Sequence, residues 1–113
     1  MTVLKLTKKD KVLIEKTIIR ISNPDNWTQG VYARISPNAH SSVDWFSATA
    51  KCFCVMGALR RAYYEVSTKT VEMIMESENF SWRISDAFPG GGLSVINDTK
   101  GREAVIAALR SLL

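Results

Sequence analysis

Cys52-Phe53-Cys54-Val55-Met56-Gly57-Ala58-Leu59-Arg60-Arg61-Ala62 decides the fold, because wound as a helix it is apolar on nearly every face. A helix of that kind has no solvent side and belongs in the middle of a domain. At about 100° per residue, Cys52, Val55, Met56, Leu59, Ala62 and Tyr63 share one side, and Ala50, Phe53, Gly57 and Tyr64 the other. Glycine inside a helix is less favourable than alanine by roughly 1 kcal/mol. Gly57 beside Ala50 and Ala58 therefore predicts that another backbone passes close to this helix. The expected helix starts within Val43 to Ala50, capped by the Ser41–Asp44 segment or by Ser47, and runs to about Glu65.

Outward from that centre, Thr7-Lys8-Lys9-Asp10 has capping-box spacing, with aspartate in the usual glutamate position. It opens a helix to about Ile21, which Ser22-Asn23-Pro24 ends. Leu13, Ile14, Thr17, Ile18 and Ile21 form its buried stripe, whereas Val12 and Ile19 fall on the opposite side among Lys8, Lys9 and Lys16. Asp25–Gly30 reads as a turn, Val31–Ile35 as a short extended piece and Ala39–Asp44 as a polar loop. Ser67 is the expected cap of a third helix with Val71, Ile74 and Met75 buried and Glu72, Glu76 and Glu78 facing water. Residues 80–88 suit a strand and helical turns equally. Pro89-Gly90-Gly91-Gly92 is a loop, and Asn97-Asp98-Thr99 is the expected cap of a last helix carrying Val105, Ile106, Leu109 and Leu112.

The expected fold is therefore mostly α: one compact helical domain over residues 1–113, with about four helices around a central buried one and short irregular or extended segments. A chain of 113 residues can bury enough surface to fold as one domain without staples. No apolar run approaches the roughly 20 residues that span a bilayer, and residues 1–10 lack the apolar core of a secretory leader, so a cytoplasmic setting is expected. Cys52 and Cys54, two apart on the expected helix, point away from each other and predict free thiols. With His40 the single histidine, no usual zinc set is available, and no cofactor is expected. Of the 15 basic and 11 acidic side chains, six and two fall within residues 1–20, which leaves nine of each sign elsewhere. The net charge of +4 thus belongs to one segment.

Three patches are informative in their order: Trp27-Thr28-Gln29-Gly30 with Ala33-Arg34; Ala50 with Cys54-Val55-Met56-Gly57-Ala58-Leu59; and Asn97-Asp98 before a helix carrying Val105 and Leu109. Over roughly residues 11–112 the chain resembles an uncharacterised family of small bacterial and bacteriophage domains. That family is marked by Trp-x-Gln-Gly, Cys-x-x-Gly-Ala-Leu and Asn-Asp motifs, with a tryptophan before the Asn-Asp pair where this chain has Ile96. The resemblance implies a fold and a bacterial or phage setting. It implies no activity and no catalytic residue.

Each candidate site residue has a structural use beside a functional one. Cys54 is a small buried hydrophobe mid-helix, or a nucleophile with His40 folded back as its base. Trp27 plugs the core and Gln29 caps a helix end, or both line a ligand pocket. Asn97 caps a helix or joins them. Arg60 and Arg61 favour the helix C-terminus or reach a carboxylate or phosphate, and the triple glycine lacks the Gly-Lys-Ser/Thr of a P-loop.

The leading expectation is a small non-catalytic binding or regulatory protein of bacterial or phage origin, docking on a protein partner through Val12, Ile19, Lys8, Lys9 and Lys16. One alternative is nucleic-acid binding through the basic first helix, although Glu15 interrupts its charge and no aromatic residue is interleaved. The other is a small-molecule pocket or thiol enzyme around Trp27, Gln29, Cys54 and Asn97. The oligomeric state is open.

Overall fold

The computed structural model describes residues 5–113; the reading of residues 1–10 as carrying no leader falls in part, at 1–4, outside the described residues. Helix α1 (Lys8–Ser22) begins at the capping box, in which the Asp10 amide donates to Thr7 Oγ1 and the Thr7 amide to Asp10 Oδ2, both at 3.0 Å. All five residues of the expected stripe are buried, and α1 packs on the central helix and on the last one. Asp10 is itself buried and takes two bonds from Arg83, at 2.7 and 3.1 Å.

Burial opposes ionisation of Asp10, but the Arg83 and Thr7 bonds prevail and hold its carboxyl below the ordinary 3.8. A carboxylate whose folded pKa is depressed lends stability that is present above the unfolded value and is lost as pH falls through the folded one. Asp10→Ala is accordingly expected to lower stability by about 1–2 kcal/mol at neutral pH. The difference from the parent should shrink below the ordinary 3.8, as measured by urea unfolding at several pH values. A difference independent of pH would contradict the ionised pair.

The apolar run does not begin as a helix. Asp44 to Ala50 is a chain of tight turns, in which the Ser47 amide donates to the Asp44 carbonyl and the Ala50 amide to the Ser47 carbonyl. Strand β2 (Cys52–Phe53) then pairs antiparallel with β1 (Ala33–Arg34), Ala33 facing Phe53 and Arg34 facing Cys52. Phe53 is bound from its other side too, by a bridge to Trp27 and by the Thr28 amide donating to its carbonyl. A short strand enclosed on both edges is as apolar as a buried helix, and over two residues periodicity does not separate them. Helix α2 (Val55–Val66) therefore starts later than its sequence suggests, with Cys54 as its N-cap.

Every residue from Val55 to Arg60 is buried, so α2 is the central helix. The close backbone expected at Gly57 is that of Tyr32: a Cβ on Gly57 would collide with the Tyr32 carbonyl oxygen and lie 3.0 Å from its carbonyl carbon. The same carbonyl accepts from the Cys54 amide at 3.2 Å. Glycine at this position thus lets the chain entering β1 rest on the first turn of α2.

Ser67 ends α2 and does not cap the next helix; Lys69 turns the chain at φ 57°, and α3 (Val71–Ser85) starts after Thr70. Residues 80–85 are helical. The buried stripe differs from the expected one, since Val71 and Met75 are 79% and 67% exposed and the inner face is Ser77, Phe80, Ser81, Ile84 and Ser85. Serines at every fourth position make a low ridge on which α3 closes against α2, and Ser81 Oγ accepts from the buried Arg60 Nε at 2.9 Å. Packing against α2, not side-chain hydropathy, sets which face turns inward.

Residues expected as a loop end and a cap wind as a fifth helix, α4 (Gly92–Thr99). At Gly92, φ is 77° and a Cβ would strike Ser85 Oγ, the atom that accepts from the Leu93 amide at 2.9 Å. Asn97, Asp98 and Thr99 are the last turn of α4 and do not cap α5 (Arg102–Arg110), whose N-cap is Gly101. Val105, Ile106 and Leu109 are buried as expected. Over the described residues the architecture is mostly helical, five α-helices about one core with a two-stranded sheet. Among the described residues no helix is long and apolar enough to cross a membrane.

Candidate functional site

Asn97 is fully buried and uses both ends of its amide. Its Oδ1 accepts from Trp27 Nε1 at 2.8 Å and from the Val55 amide at 3.0 Å, while its Nδ2 donates to the Thr28 carbonyl at 3.1 Å and to Asp98 Oδ1 at 3.0 Å. Gln29 Nε2 donates to the Asn97 and Asp98 carbonyls, at 2.9 and 3.3 Å, capping the C-terminal end of α4. The Gly30 amide closes the circuit on Asp98 Oδ1 at 3.1 Å. Trp27, Gln29 and Asn97, from sequence segments some 70 residues apart, meet at one node beside the first turn of α2. Burial makes such a network worth most when every member is partnered, and the Asn97 amide is.

Cys54 lies at the same turn, its Sγ accepting from the Gly57 amide at 3.4 Å. It is not mid-helix as expected but at a helix N-terminus, where the dipole favours a thiolate. Burial outweighs that and pushes the thiol up to about 11, with the Gly57 bond pulling the other way. Cys52 Sγ donates to the Asp25 carbonyl at 2.9 Å, and its thiol is also raised, mainly by burial. The helical argument for free thiols fails, since Cys52 is in a strand, yet each sulfur is buried and engaged with a different backbone group. Neither is expected to react with a thiol reagent in the native protein, and both should react fully in denaturant. Rapid native labelling of one thiol per chain would contradict this. His40, on an exposed loop, does not line the space beside Cys54.

That space is a cleft of about 770 Å³ next to the node. Gly30, Tyr32, Trp45, Cys54, Met56, Trp82 and Asp98 line it, with Asp44 and three serines at 42, 47 and 94. Of the four residues expected to make a pocket, Cys54 alone reaches the lining, and the other three hold the wall from behind. Tyr32, Trp45, Trp82 and the two aspartates had no signal as a group, because they come from separate segments. Arg60, countered by Glu78 at 3.6 Å, lies 4.3 Å from the Tyr32 ring centre and 5.5 Å from that of Trp82. Trp45 meets Phe46 and Tyr64 edge to face.

The three patches that carry the sequence resemblance thus form one connected feature, and a family profile described only as of unknown function matches residues 7–112. The chain belongs to DUF6197, a family of unknown function. No curated protein and no solved structure matches it. In this DUF6197 member the family-like motifs build the wall of a cleft, with Gly30, Cys54 and Asp98 each contributing from a different patch.

On α1, Val12 and Ile19 are 49% and 74% exposed, and Lys8, Lys9 and Lys16 are exposed around them. Lys9 Nζ rests 4.7 Å from the Tyr63 ring centre, and Arg20 is tied to Glu65 at 2.7 Å. Arg61 bonds the Trp45 and Ser47 carbonyls and pairs with Glu65.

Proposed function

We propose that this protein is a small non-catalytic binding protein and that the cleft is its recognition site. The observation that carries this reading is the cleft itself, in the size range of ligand pockets and mixing apolar walls with a few oriented polar groups. Binding is favoured over thiol chemistry because Cys54 is held protonated and the node's amide is spent on its own neighbours. Two buried free thiols favour a reducing, cytoplasmic setting, and the motif resemblance favours a bacterial or phage source. A fragment screen by ligand-observed NMR tests the site. Ligands found should lose about tenfold or more in affinity with Trp82→Ala, a loss of stacking worth about 1.4 kcal/mol. Ligands indifferent to Trp82→Ala would contradict it.

The exposed apolar and basic face of α1 supports a second contact, docking on a protein partner through Val12, Ile19, Lys8, Lys9 and Lys16. Exposed aliphatics among lysines suit a protein surface better than nucleic acid, for which Arg20 is tied to Glu65 and Glu15 interrupts the basic charge. Val12→Glu with Ile19→Glu should leave the melting temperature unchanged and remove partner capture from a bacterial lysate. Capture of the same proteins by the double variant would remove this second reading.

A further inference from the structure

We infer that the cleft takes a ligand bearing a protonated amine on a flat apolar body, the amine set against Asp44 and Asp98 and the body against Tyr32, Trp45 and Trp82. This rests on the binding role proposed above and names the chemistry of that site. The chain has more basic than acidic side chains, yet the lining holds two aspartates and no lysine, arginine or histidine. Both aspartates are exposed, and among the described residues neither has an ion-pair partner. The bonds from the Gly30 amide and Asn97 Nδ2 to Asp98 Oδ1 fix that carboxylate on the wall. The cations that touch the aromatic wall are already answered, Arg60 at the Tyr32 and Trp82 rings by Glu78 and Arg61 at the Trp45 carbonyl by Glu65.

The aromatic wall adds a second requirement independent of charge. Trp82 is half exposed over the buried Arg60 guanidinium, which leaves its ring with surface still to cover. The Asp98 carboxylate, held before binding, spares the ligand the cost of ordering it. An ammonium beside two carboxylates gains from both charges, most at low salt, and aromatic faces attract the same group.

Three probes of one shape separate the possibilities: phenethylamine, phenethyl alcohol and hydrocinnamate, titrated at neutral pH and low salt while the amide NMR signals of Gly30 and Ser94 are followed. The amine should bind about tenfold tighter than the alcohol, with hydrocinnamate weakest. Asp44→Asn and Asp98→Asn should each remove most of that preference and leave the alcohol unchanged; both keep an oxygen acceptor, and circular dichroism checks their folding. If the alcohol or hydrocinnamate moves these signals as tightly as the amine, the ligand class is wrong and the cleft remains a binding site. If none of the three moves them, both the ligand class and the recognition role of the cleft are overturned.

Discussion

Asn97→Leu is expected to destabilise the protein by about 2–6 kcal/mol, since buried polar groups left without a partner cost about 1–3 kcal/mol each. Leucine keeps the branching of asparagine, at a larger volume, but removes the acceptor for the Val55 amide and the donor to the Thr28 carbonyl, both in buried residues. The half-buried Trp27 indole N–H loses its partner too. Against a typical total of 5–15 kcal/mol, urea unfolding should show a large fall in midpoint. Asn97→Asp should be no milder, because although it keeps the oxygen for Trp27 and Val55, it turns a second oxygen on the Thr28 carbonyl and sets a buried charge beside Asp98. A loss under about 1 kcal/mol for Asn97→Leu would mean that the node does not hold the fold.

Gly57→Leu is expected to cost about 1–3 kcal/mol for a different reason. Its Cβ alone would collide with the Tyr32 carbonyl oxygen, so β1 and α2 must separate before the rest of the side chain is placed. Overpacking costs about 1–3 kcal/mol, and leucine's better helix propensity returns about 1 kcal/mol. Separation also breaks the bond from the Cys54 amide to that carbonyl, which adds to the loss. Gly57→Ala tests the contact with the least added volume. Thermal unfolding should place both variants below the parent, Gly57→Leu the lower. Either variant as stable as the parent would remove the close pass of Tyr32 over α2.

Much of the fold is legible because it is local. The Thr7–Asp10 box, the stripe of α1 and the stop at Asn23–Pro24 are set by neighbours within one turn, and they agree with one another. Gly57 announces a close backbone, though not whose. The start of α2 and the inner face of α3 are not local. Cys52 and Phe53 are extended because Ala33 and Trp27 flank them, and Val71 and Met75 face out because the serine ridge seats on α2. Neither neighbour is visible from within the segment concerned.

The site is legible in the same uneven way. Trp27, Gln29 and Asn97 stand out as polar or aromatic residues at turns, and they do converge, but Asn97 and Asp98 act from the end of α4 as a fastener between distant segments and not as a cap for α5. The cleft beside them needs Tyr32, Trp45 and Trp82 brought together from three segments, which no spacing in the sequence encodes.

Convergence of the three patches on Asn97 Oδ1 is the central claim, and one nuclear Overhauser measurement tests it. Trp27 Nε1 and the Val55 amide nitrogen bond the same oxygen at 2.8 and 3.0 Å. With hydrogen-to-oxygen distances of about 2 Å each, their two protons lie within about 4 Å of one another. A cross-peak between the Trp27 indole proton and the Val55 amide proton is predicted, with both slow to exchange with solvent. A rapidly exchanging indole proton with no cross-peak to Val55 would contradict the node, and with it the wall of the cleft.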